Sequence, residues 1–193
     1  MGSVSMALPV YMLAKKVSFP FTGAFSVRVG KGRNWLFASG FIARETGVKR
    51  AYLPARRVQS TIEQTAKNAF VHRDRRGVLE EVWDALYRLP KSDLGKKQGA
   101  DLSLIMTSGD ERGINLCAVN ISGIWGRRRE NEQWISVLPK KHPIFDIYGL
   151  EEDFPGSLHI EHPPKCMIAT AHPLFPMLPQ EAELKERLGV RDL

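Results

Sequence analysis

The sequence predicts an α+β domain in which helices pack on antiparallel sheet. Apolar residues alternate, or run in strand-length blocks, between residues 25 and 42 and again from residue 101 onward, and two stretches with apolar residues at helical spacing lie between those blocks. Length supports the same conclusion: 193 residues can bury a core without disulfide or metal staples. One domain is therefore expected over residues 1–193, with residues 1–15 a flexible N-terminal segment.

Phe25 to Val29 and Trp35 to Ile42 flank the glycine-containing GKGRN, which predicts a β-hairpin. The second strand ends in a continuous apolar run and is expected to be the more buried of the two. ARETGVKRAYLPARR is polar and closes on Pro54 and two arginines, so it is expected to be irregular. VQSTIEQTAKNAFV then places Val58, Ile62, Thr65, Ala66 and Ala69 on one face of an amphipathic helix from Val58 to Val71. After HRDRRG, the stretch GVLEEVWDALYRLP does the same with Leu79, Val82, Trp83, Leu86 and Leu89 until Pro90 stops it.

SDLGKKQG is expected to be a basic loop. DLSLIMTS, INLCAVNIS and EQWISVLP, separated by GDERG and GRRREN, predict a three-strand meander. Beyond the acidic DIYGLEEDFPG, Ser157 to Ile160 and Cys166 to Ala171 are expected to form a hairpin around a proline turn, and PQEAELKERLGV a closing helix. There is no internal repeat.

The chain is 43% apolar and 25% charged, ordinary globular values that exclude general disorder. No window reaches the roughly 18 uncharged apolar residues of a membrane span. No basic region precedes MALPVYMLA and no small-residue cleavage site follows it, so a cytoplasmic location is expected. Cys117 and Cys166, both in apolar runs, are expected to be reduced core thiols.

The net charge of +7 is unevenly distributed. Residues 1 to 100 hold 18 Lys and Arg against 7 Asp and Glu, whereas residues 101 to 193 hold 10 against 14. Such a split favours an acidic protein partner or self-association through opposite faces. The basic clusters are Lys49, Arg50, Arg56 and Arg57; Arg73, Arg75 and Arg76; Lys96 and Lys97; and Arg127, Arg128 and Arg129. Only Tyr52 interleaves with them, which disfavours nucleic-acid binding relative to a protein interface. Trp125 beside the last cluster is the candidate anchor, since aromatic and Arg residues dominate interface energetics, although a Trp in a strand serves equally as packing.

His142, His159, His162 and His172 fall in the last third, with Glu161 and Cys166 near them, and invite a metal-binding or hydrolytic reading. The spacing opposes it, because His159 and His162 on one strand face opposite sides. No Gly-x-Ser-x-Gly elbow occurs, and GKGRN matches neither the Walker nor the dinucleotide pattern, so no cofactor is expected.

The sequence of elements resembles the metal-dependent protein phosphatases of the 2C type. CMIATAHPLFPMLPQEAELKERLG is similar to that family's strand, Asp-Gly-Leu corner and helix. LFASGF, Leu36 to Phe41, is similar to its strand ending in Asp-Gly-x-Gly-Gly, and INLCAVNISGIWGRR to its Gly-Asp-Ser-Arg strand, with VLPKKHPI following. The likeness spans residues 20 to 188 and implies an antiparallel β-sandwich flanked by helices. The proteasome-like αββα sandwich, to which GADLSLIMTSGDERGINLCAVN is similar, is the alternative fold. The 2C family hydrolyses phosphate esters with metal ions held by aspartates. Here the resemblance puts Ser39 in place of one aspartate, followed by Gly40, and leaves Asn120, Ile121 and Ser122 at the Gly-Asp-Ser positions. Thr170 or Ala171 stands at the corner aspartate, with His172 in place of its glycine. It therefore implies a noncatalytic scaffold that works by protein contacts, because these side chains cannot hold hard cations.

Overall fold

Alternation in TGAFSVRVGK becomes strand β1, Thr22–Lys31, with Phe25, Val27 and Val29 buried and Ala24, Ser26 and Arg28 exposed. Its partner β2, Asn34–Ala43, pairs antiparallel from Lys31↔Asn34 to Thr22↔Ala43, and the hairpin extends the predicted one at both ends. The computed structural model describes residues 22–31, 34–43, 48–72, 77–94, 102–109, 113–127, 134–137, 150–162, 164 and 166–171.

Helix α1 runs from Val48 to His72 and contains Pro54, so it begins ten residues before the predicted start and overrides the expected irregular stretch. The reason is burial. Pro54 and Ala55 join Val58, Ile62, Ala66 and Ala69 in one buried stripe, and covering that stripe outweighs the single helical hydrogen bond a proline removes. Helix α2, Val78–Tyr87, buries Leu79, Val82, Trp83 and Leu86, and Glu80 and Glu81 in its first turn suit the helix dipole. The expected loop after Pro90 instead starts with a helical turn, α3, Lys91–Leu94. There the half-exposed Arg57 of α1 meets Asp93 at 2.5 Å, which holds the turn against α1.

Strands β3, Leu102–Gly109, β4, Ile114–Val119, and β7, Leu158–Ile160, complete a five-stranded antiparallel sheet of order β1-β2-β3-β4-β7. The register forms rows such as Val27, Ala38, Met106 and Cys117, or Phe25, Gly40, Leu104 and Val119. These rows hold buried side chains on the face that α1 covers, mainly over β1 and less over β2. The segment from Leu150 to Phe154 lies against α2: Trp83 Nε1 donates to the Glu151 carbonyl at 2.8 Å, and the Phe154 ring meets the Trp83 ring edge-on at 5.8 Å.

The predicted meander is corrected at Asn120. The predicted strand INLCAVNIS, residues 114–122, is broken at Asn120, which adopts φ 52 and turns the chain out of the first sheet into a second strand that runs to Arg127. Asn is one of the few side chains that tolerate this left-handed conformation. Beyond it, β5, Ile121–Arg127, lies between β6, Trp134–Ser136, and β8, Cys166–Ala171, in a separate three-stranded antiparallel sheet. The predicted final hairpin is corrected too: β7 pairs with β4, and β8 pairs with β5. Ile121 and Ile124 belong to the same buried cluster as Leu104 and Met106, so the two sheets share one core. The predicted closing helix lies outside the described residues.

Candidate functional site

The positions singled out by the sequence fall in two places, on β2 of the first sheet and where the chain has passed into the second. In the second sheet, Ile121 pairs with Ala171 and Gly123 with Thr170, so the register skips Ser122, which occupies a β-bulge. In the first sheet, Phe41 pairs with Ser103, and Leu104 joins Gly40 on one side to Val119 on the other. Two strand spacings, about 10 Å, thus separate Gly40 from the last residue before the Asn120 corner. Ser122, Thr170 and Ala171 lie on the strands β5 and β8 beyond this corner, Ser39 and Gly40 lie on β2, which pairs with β1 and β3 rather than with either strand at the corner, and His172 lies outside the described residues.

What fills the corner is hydrogen bonding to backbone. Asn120 Nδ2 donates to the Leu102 carbonyl at 2.6 Å, and Ser103 Oγ donates to the Asn120 carbonyl at 3.3 Å. Away from the corner, on the β1 side of β2, the buried Ser39 is placed to donate its Oγ to the Phe25 carbonyl at 3.5 Å. Buried polar atoms are costly unless paired, and these side chains are partnered within the protein. Gly40 leaves no room beside them: a Cβ there would sit 2.3 Å from the Ser103 carbonyl oxygen. Asn120 itself is the residue that sequence reasoning undervalued, and its signal is an asparagine interrupting the apolar INLCAVNISGIW.

Among the described residues, no three of His, Cys, Asp and Glu stand close enough to hold a metal ion. The nearest thiol, Cys117, is buried in the first sheet, and loss of water around it pushes its pKa from 9.0 to about 12, with a smaller opposing pull from the Ala118 backbone. It is not a nucleophile near neutral pH.

The histidine-rich stretch is divided by the topology. His159 sits exposed on β7 of the first sheet with Nδ1 2.9 Å from Asn115 Oδ1, His162 is exposed beyond the strand end, and Cys166 begins β8 of the second sheet. His142 lies outside the described residues.

Among the interface candidates, Trp125 is 3% exposed, and a Cβ at Gly123 would fall 2.4 Å from its ring. Its ring is used for packing in β5 rather than offered as a surface anchor. Arg56 and Arg57 are exposed on α1, and Arg127 is half-buried at the end of β5. Arg73, Arg75, Arg76, Arg128 and Arg129 lie outside the described residues. Among the described residues, no helix is long and apolar enough to cross a membrane. No protein-family model, no curated protein and no solved structure matches this chain.

Proposed function

We propose that this chain is a noncatalytic domain of phosphatase-like architecture, a helix-flanked β-sandwich of the type 2C pattern, and that it acts as a protein-binding or regulatory scaffold. One observation carries the reading. Where the 2C pattern calls for aspartates, this chain has Ser39, Ile121 or Asn120, and Ala171 or Thr170, and the Ser39 hydroxyl and the Asn120 amide are committed to backbone carbonyls. Hard divalent cations need several oxygen ligands, and a hydroxyl already donating to a carbonyl is a poor substitute for a carboxylate. The excess of basic residues in the first half supports a partner with acidic character.

The test is Mn-dependent hydrolysis of an aryl phosphate by the purified protein, with metal content measured on the same sample. The expected outcome is no turnover and no stoichiometric metal. Turnover abolished by a chelator would overturn the reading and return attention to carboxylates elsewhere in the chain.

A further inference from the structure

We propose that the outer edge of β1 is a docking site for an extended segment of a partner protein, one that adds as a sixth strand and places a carboxylate beside Arg28. The inference rests on the binding-module reading above and names its surface. β1 ends the five-stranded order, and among the described residues no strand lies beyond it. It is ten residues long, and among the described residues only the Gln59 side chain is seen to bond its outward backbone.

The register fixes which groups point outward. With Lys31 paired to Asn34, two residues close the hairpin, so the odd-numbered positions from Lys31 back to Gly23 exchange hydrogen bonds with β2. Ala24, Ser26 and Arg28 then turn their backbone N–H and C=O groups away from β2. Gln59 supports this assignment, because its Nε2 reaches from α1 to the Ser26 carbonyl at 3.4 Å, an exposed contact that the added strand's N–H replaces on binding. The side chains of the same three residues are exposed on the face opposite α1. An added strand would thus meet two small residues and one cation, and its residue beside Arg28 would be acidic.

The position of α1 decides between a second copy and a lone strand. The helix lies mainly over β1. Two copies joined edge to edge through β1 would bring their α1 helices to about the strand spacing, well under the 8–10 Å that packed helices need. A single extended segment brings no helix and meets no such conflict.

The probe is a fluorescein-labelled ten-residue peptide alternating valine with glutamate and threonine, compared with the same peptide carrying lysine for glutamate. The glutamate peptide is expected to bind and the lysine peptide to bind at least about tenfold more weakly. Ser26→Pro removes one outward N–H without touching the β2 ladder and is expected to abolish binding, with the circular dichroism spectrum unchanged. Arg28→Glu is expected to reverse the preference between the two peptides. Absence of binding at about 1 mM peptide, or equal binding to all three proteins, would overturn the edge proposal. The metal and phosphatase assay judges the noncatalytic reading separately, so the two failures are distinguishable.

Discussion

The helix-covered face of the first sheet and the passage that leads out of it are held by different means. Beneath α1 and α2 the first sheet is dry and apolar, with Leu36, Ile42, Ile62, Trp83, Leu102 and Leu104 all at 0% exposure. At the passage to the second sheet the same chain buries Ser103 and Asn120 and satisfies them with backbone carbonyls. The first region draws its stability from area removed from water, which is insensitive to small errors of position. The second depends on a few directed bonds, and each lost partner strands a buried polar group.

Substitutions can break this comparison, beginning with the dry core. Trp83→Ala removes a fully buried ring, its bond to the Glu151 carbonyl and its contact with Phe154, and should cost about 3–5 kcal/mol in urea unfolding. A value below about 1 kcal/mol would show that residues 150–154 do not depend on α2. At the corner, Gly40→Ala should cost about 1–3 kcal/mol by driving a methyl into the Ser103 carbonyl.

The next comparison separates backbone from side chain at one residue. Asn120→Ala loses the bond to the Leu102 carbonyl and keeps the left-handed strain, at about 1–3 kcal/mol. Asn120→Gly loses the same bond but relieves the strain and should be the milder change. If glycine proves worse than alanine, the conformation of the corner is not what asparagine is there to supply.

The smallest effect is a pH dependence from Cys117. Its folded pKa is raised from 9.0 to about 12, so below about pH 9 the thiol is protonated in both states and contributes no slope. As pH rises from 9.0 toward about 12 the unfolded thiol ionises while the folded one does not, and stability falls. Replacing Cys117 with Ala should flatten that part of the stability curve. At neutral pH the native thiol should react with a disulfide reagent only as fast as the protein opens.

Much of the first region was legible in the sequence because it obeys simple periods. The alternation of FSVRV and the helical spacing of Val58, Ile62, Ala66 and of Leu79, Val82, Trp83, Leu86 appear in the structure as buried faces. Pro54 misled because local propensity was read without the tertiary face that Pro54 and Ala55 extend. The corner was less legible. A break between two apolar strands marked only by one asparagine looks like a single strand, and pairing between distant strands leaves no local trace, so β7 and β8 were expected to pair with each other. The bulge at Ser122 and the bonds around Asn120 arise from the register between strands, which no single strand encodes.

The passage at Asn120 also bears on the order of events during synthesis. Strands β2 to β4 each pair with the strand made before them, so four strands of the first sheet with their covering helix are within reach once residue 119 has emerged. β5 has no such neighbour, since both of its partners, residues 134–136 and 166–171, come later along the chain. Until they are made, Gly123, Ile124 and Trp125 wait with open edges on both sides, and the nascent chain is most exposed to wrong partners in that interval.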